Sequence, residues 1–264
     1  MLAASLLVGA CAAPAVDAKD ELERTWRAAR VHLPGASGPA PRIEALGGPP
    51  PGLAPGARLP TVIYLHGCSG IDVLSEREGG LLAGAGYAVI MPDSFARRHK
   101  PKSCDVVSRT GGAHRGVLGW RQDEALNAIE RARALPWVDA GNLFLMGFSE
   151  GAVTAATLGA TGTNARIVEG WTCHAGWPEY VGLNAPEGEP VLALVGANDP
   201  WFRLPVLRGD CGAYMERGNG SRSIVFEAPH PLADEHFLSW HDEAGGAIID
   251  FLDRHRAQPS EAPP

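Results

Sequence analysis

The sequence predicts an α/β fold with a mostly parallel central β-sheet and helices on both faces. Three observations predict it. Uninterrupted apolar runs, several rich in β-branched residues, recur along the chain, as expected of strands buried on both faces of a parallel sheet. Between them lie segments with small or apolar residues every three or four positions, the pattern of helices with one packing stripe. A chain of 264 residues, 45% apolar and 20% charged, is also long enough to bury ~70–75% of the surface its unfolded form exposes.

Residues 1–16 carry no charged side chain, and the apolar run Met1–Cys11 is shorter than the ~20 residues a membrane span needs. It reads as the apolar region of an export signal without the usual positive flank. Val8, Gly9, Ala10 and Cys11 resemble a bacterial lipobox, which would anchor the mature chain to a membrane through Cys11; cleavage near Ala15 or Ala18 is the alternative. Either way the chain is expected to be exported, periplasmic or membrane-anchored. Residues 1–18 thus form a signal with its linker. Residues 19–60 form an N-terminal helix and a Pro/Gly-rich approach with short strands near Arg30–Leu33 and Ile43–Leu46. The core spans 61–256, and 257–264 is a disordered tail.

Gly and Pro together number 55 of 264, or about 21%, against roughly 12% in an average protein. Fourteen of the 55 fall between residues 34 and 60, so the excess is partly one linker and partly many tight turns. The core strands are read at Thr61–Leu65, Tyr87–Met91, Asn142–Met146, Arg166–Trp171, Val191–Val195 and Ser223–Phe226. In Arg121–Leu135 the stripe is Ala125, Ala128, Ala132 and Leu135. In the last helix it is Ala244, Ala247, Ile248, Phe251 and Leu252. Strands alternating with helices give right-handed βαβ units and one domain.

The formal charge of −7 argues against a polyanion partner, because phosphate contacts need clustered Lys and Arg. The one basic cluster, Arg97, Arg98, Lys100 and Lys102, reads as a solvated loop or an attractor of acidic substrate. Export leaves Cys68, Cys104, Cys173 and Cys211, which permit two disulfides in three connectivities. There is no CxxC pair, and the His230–His236 segment lacks HExxH spacing, so neither metal nor cofactor is expected.

The strand Asn142–Met146 runs into Gly147-Phe-Ser149-Glu-Gly151 and a helix-prone stretch. Twelve serines in a chain one-eighth glycine give about 0.2 chance GxSxG matches, so the context must decide. Strand, sharp turn and helix together describe a nucleophile elbow, with the helix dipole and the Glu150 N–H favouring a developing oxyanion. A serine nucleophile needs a base and an oriented acid, in this architecture in the order Ser, Asp or Glu, His. Asp199, four residues beyond a buried strand, is the best acid; Asp210 and Glu169 are alternatives. The loop after the last strand offers His230 and His236 as bases. A second oxyanion N–H is expected from Cys68, in the glycine-flanked loop His66-Gly67-Cys68-Ser-Gly70. Trp171, His174 and Trp201, near strand ends, are the candidate pocket walls, with Trp177 and Phe202 beside them.

From about Thr61 to Arg254 the sequence resembles the α/β-hydrolase superfamily, and within it the dienelactone hydrolase-like group. The resemblance is carried by YLHGCSG, GYAVIMPDSF, GFSEG, PVLALVGANDPW and the histidine loop leading to IIDFL. It implies the α/β-hydrolase fold, a triad and no cofactor. It also ranks the bases, since the catalytic histidine of such relatives stands some fifteen residues before the final FL. His236 stands fifteen before Phe251 and His230 twenty-one. Dienelactone hydrolases proper carry cysteine in the elbow, whereas position 149 is serine, which points to general ester chemistry. The expectation is a serine hydrolase of a small-molecule ester or lactone, with Ser149, Asp199 and His236 catalytic and Cys68 and Glu150 forming the oxyanion hole. The alternatives are a peptidase of the same fold or an envelope-anchored, non-catalytic binding protein.

Overall fold

The computed structural model describes residues 17–257 except Ser37, Gly47 and Pro101. The export segment with Cys11 and the tail beyond Ala257 lie outside the described residues. Seven strands form one sheet: β1 (Arg30–His32), β2 (Leu59–Leu65), β3 (Ala88–Met91), β4 (Val138–Phe148), β5 (Arg166–Glu169), β6 (Val191–Gly196) and β7 (Arg222–Phe226). Their order is β1-β3-β2-β4-β5-β6-β7. Only β1 runs antiparallel to its neighbour; every other pair is parallel. The α/β architecture expected from the sequence is therefore the one observed.

The chain leaves β2 toward β3 on one side but continues to β4 on the other, so strand order reverses between β2 and β4. The loops after these two strands diverge there and leave a crevice at the carboxyl edge of the sheet. That crevice is where the site lies.

Both faces of the sheet are covered. On one side Ile63, Leu65, Leu143 and Leu145 meet α1 (Ala18–Arg27), α4 (Val117–Arg133) and α5 (Glu150–Thr157) through Trp26, Ala125, Ala128, Ile129 and Ala152. On the other, Val62, Tyr64, Phe144 and Met146 meet α3 (Val73–Gly84) and α6 (Asp242–Arg254) through Leu82, Ile248, Phe251 and Leu252. The alternation of strand residues between two apolar layers explains why the strands read as continuous apolar runs.

One expectation is corrected, and one helix was not read from the sequence. Ile43–Leu46 is a helical turn, α2, rather than a strand. The outer side of β1 is used up by a single bridge between Arg30 and Arg42, and Pro39 and Pro41 have no N–H with which to extend it. The helix α3, which the periodicity does not reveal, starts at Asp72, whose carboxylate accepts from the N–H groups of Leu74 (3.0 Å) and Ser75 (3.2 Å). Its stripe is interrupted by Gly79, Gly80 and Gly84. A Cβ on Gly79 would run into His32 and Met91, so the close approach of α3 to the sheet erases the apolar pattern. Elsewhere the differences are of length: β4 begins at Val138, β5 ends at Glu169, and α4 begins at Val117, four residues earlier than read.

Candidate active site

Ser149 sits between β4 and α5 with φ 55° and ψ −116°, a strained conformation for a residue with a side chain. The strand–helix turn is so tight that a Cβ on Gly147 would meet the Gly151 carbonyl, and one on Gly151 the Leu65 carbonyl. Glycine at both positions lets the elbow close, and the closed elbow lifts the hydroxyl out at the sheet edge. Asp199 lies just beyond β6 and is almost wholly buried. Its Oδ1 accepts from the Trp201 N–H at 2.9 Å, which leaves Oδ2 to face His236. His236 follows β7 on the loop before α6.

The three side chains form one hydrogen-bonded line. His236 Nδ1 lies 2.6 Å from Asp199 Oδ2, and His236 Nε2 lies 2.9 Å from Ser149 Oγ. A carboxylate only accepts, so Nδ1 carries the proton toward Asp199 and Nε2 is left to accept from the serine hydroxyl. The imidazole is held by rings: Trp201 stacks on it at 5.2 Å, and Phe148 (5.1 Å) and Phe202 (5.7 Å) contact it from other directions. His230 is elsewhere. Its Nδ1 accepts from the Leu232 N–H at 3.1 Å and its Nε2 faces Glu243 at 3.0 Å.

The two alternative acids are engaged otherwise. Asp210 caps a turn through the Gly212 N–H at 2.6 Å. Glu169 is buried and accepts from the N–H groups of Leu238 (2.7 Å) and Ser239 (2.8 Å), so it anchors the loop that carries His236. Beside it Glu78 accepts from the Ser239 hydroxyl. Burial pushes both carboxyls up from the usual carboxylate range, and the charge of Glu169 pushes Glu78 further.

The Cys68 loop follows β2 directly across the crevice. As the first residue of α5, Glu150 has an N–H with no intrahelical acceptor. Arg121, on α4 and buried, holds both sides of this region together. Its guanidinium donates to the carbonyls of His66 and Gly67 and to Glu150 Oε1 at 2.8 Å. His66 is fully buried, with Nδ1 donating to the Gly67 carbonyl at 2.7 Å and Nε2 accepting from the Ser94 N–H at 3.2 Å. Burial first and the Arg121 charge second bring its pKa down to about 3, so it is a neutral structural ring. Neither Arg121 nor His66 was singled out from the sequence. The signal for Arg121 was its position one turn ahead of the Ala125 stripe, on the buried face of its helix.

The four described cysteines pair as Cys68–Cys104 and Cys173–Cys211, one of the three connectivities the sequence allows. The first ties the Cys68 loop to the segment before α4; the second ties the loop after β5 to the loop after β6. Trp171 and Trp201 line the space beside Ser149. His174 does not: its Nδ1 faces the Thr172 carbonyl at 2.7 Å and its ring lies against Tyr214. The basic cluster is largely neutralised, Arg97 by Glu124, Arg98 by Glu21 and Lys102 by Asp105. His230, His241 and Glu243 come together near the surface. Both imidazoles, however, accept a backbone N–H at Nδ1, which puts the proton on Nε2 and leaves no lone pair there for a metal.

The dienelactone hydrolase family matches residues 50–208, more than half of the chain and including Ser149 and Asp199 but not His236. No protein of curated function matches the sequence. Among solved structures the chain is similar to Est1E of Butyrivibrio proteoclasticus, with 13% identity over 87% of this chain and 94% of that one and a TM-score of 0.54. It is similar also to an α/β serine hydrolase without a lid from Xanthomonas campestris, with 15% identity over 88% and 90% and a TM-score of 0.53. The esterase Pf2001 of Pyrococcus furiosus aligns at 17% identity over 75% and 84%, with a TM-score of 0.51. At these identities the likeness is one of fold. By the extent of the family match, the chain belongs to the dienelactone hydrolase family.

Proposed function

We propose that this hydrolase cleaves carboxylic esters or lactones through Ser149, His236 and Asp199 and an acyl-enzyme intermediate. The observation that carries the reading is the continuous line Ser149 Oγ–His236–Asp199, with contacts of 2.9 and 2.6 Å. His236 Nε2 takes the hydroxyl proton as Ser149 Oγ bonds to the ester carbonyl carbon. The carbonyl electron pair moves onto oxygen, which the Cys68 and Glu150 N–H groups receive. When the pair returns, the bond to the alkoxy oxygen breaks and His236 gives that oxygen the proton. Water then repeats the sequence on the acyl-enzyme and releases the acid and Ser149. Asp199, fixed by the Trp201 N–H, holds the imidazole in the required tautomer.

Serine at position 149, in place of the cysteine of dienelactone hydrolases proper, favours general esters over dienelactone itself. Export is part of the same proposal. Two disulfides beside the site suit an oxidising compartment, and a periplasmic or Cys11-anchored enzyme would meet esters arriving from outside. The test of the triad compares two histidines in p-nitrophenyl acetate turnover. His236→Ala should lose about 10³-fold or more and His230→Ala less than about threefold. The reverse pattern would move the base to His230.

A further inference from the structure

We infer that the site takes esters whose acyl half is an arylalkanoyl group and whose alcohol half is small or polar; this rests on the hydrolase reading above. Ser149 stands where two spaces meet. On one side is a narrower, strongly apolar pocket of about 370 Å³ walled by Trp171, Trp177, Tyr180, Phe202, Leu118 and Val153. On the other is an open cleft of about 870 Å³ that carries Asp72, Arg77, Asp234 and Glu235 beside Trp240. Cys68, Arg109, Ser149, Trp201 and His236 border both spaces.

The order of events assigns the two halves. The alcohol leaves first and water must then reach the acyl-enzyme, while the acyl group stays bonded to Ser149 until the second step. The narrower apolar side suits the group that stays, and the wider side of mixed lining suits the group that goes and the water that follows.

Size admits an aryl-bearing acyl group and the chemistry of the walls favours it. A dry cavity of roughly 150 Å³ takes one benzene ring, so about 370 Å³ has ample room for a ring with a linker of two or three carbons. Five of its lining side chains are aromatic, Trp201 included, and edge-to-face or offset contacts with a bound ring add about 0.5–1.5 kcal/mol each beyond simple burial. The walls are already set against one another: Trp171 meets Phe202 edge-on at 5.6 Å, and Trp177 meets Tyr180 at 5.7 Å. Arg115 lies over Trp177 at 5.7 Å. Each wall loop is also pinned by a disulfide, through Cys104 before Gly112, through Cys173 after Trp171 and through Cys211 after Leu207. A preorganised cavity of this kind spends little binding energy on ordering itself.

A pair of reversed esters tests the assignment. Methyl 3-phenylpropanoate puts the ring on the acyl half, 3-phenylpropyl acetate puts it on the alcohol, and methyl acetate has none. With proton release as the readout, methyl 3-phenylpropanoate should exceed both others in kcat/KM by about tenfold or more. Trp177→Ala should cut its advantage over methyl acetate by at least about threefold, a ratio in which any effect common to both esters cancels. Equal turnover of the three esters, preference for the reversed ester, or an unchanged ratio in the variant would overturn the assignment. If none of the three is hydrolysed, the hydrolase reading itself fails.

Discussion

Ser149 holds its hydroxyl on a backbone at positive φ, while the residues around it are each engaged by a defined partner. His66 illustrates how far that goes. Its pKa, brought down to about 3 by burial and the neighbouring Arg121, keeps a second cation away from the guanidinium and lets the ring bridge the Gly67 carbonyl and the Ser94 N–H. In spectra of histidine-labelled protein taken from about pH 8 to about pH 5, the His66 ring signals should stay those of the neutral Nδ1–H tautomer. A midpoint near the ordinary value of about 6.5 would contradict the packing described. At this scale the sequence was informative where chemistry and strand position coincide. Ser149 and Asp199 stand just past buried strands and were legible. His236 and His230 share one loop, and their residue types alone did not separate them; the fold does so by turning one ring to Asp199 and the other to Glu243. Glu169 ranks below Asp199 as an acid because it falls inside a strand pattern, and in the fold it holds the backbone of Leu238 and Ser239 instead.

Among the elements, α4 does more than cover the sheet. Through Arg121 it fixes the loop after β2 to the first residue of α5, so both expected oxyanion donors depend on one side chain that touches no substrate. Arg121→Lys keeps a charge but loses the fork that grips two carbonyls and a carboxylate at once. Its expected effect is a loss of about 10–10²-fold in kcat with KM within about threefold, measured on a p-nitrophenyl ester. A rise in KM at constant kcat would instead mean that Arg121 shapes the binding pocket. The elements were legible where one face alone is apolar, as in α4 and α6, or where both faces are buried, as in β2 and β6. They were not legible where packing overrides pattern. α3 comes so close to the sheet that it needs glycine on its inner face, and Ile43–Leu46 turns into a helix after a single bridge beside β1. The disulfide pairing depends on which loops meet across the crevice, and spacing along the chain does not encode that.

For the whole molecule, the layers on either side of the sheet differ in character. Beneath the histidine loop, Glu78, Glu169 and Tyr64 are buried together, and burial raises the pKa of all three. A carboxyl whose folded pKa lies above its unfolded value stabilises the fold fully below about 4.5, and that contribution is lost as pH rises toward the folded pKa. Glu78→Gln keeps an acceptor for the Ser239 hydroxyl but cannot ionise. Its Tm relative to wild type should therefore rise by a few °C between about pH 5 and about pH 8. A difference that stays constant with pH would show that Glu78 is ionised in the folded chain. The reversal of strand order between β2 and β4 is the feature that makes a site here at all, since it brings the loop of Cys68 and the elbow of Ser149 to one crevice. That Ser149 is an activated nucleophile in this crevice is the central claim, and labelling by a fluorophosphonate probe tests it most directly. The wild-type chain should be labelled and Ser149→Ala, equally folded by circular dichroism, should not. Absence of label on folded wild type, or equal labelling of both proteins, would contradict it.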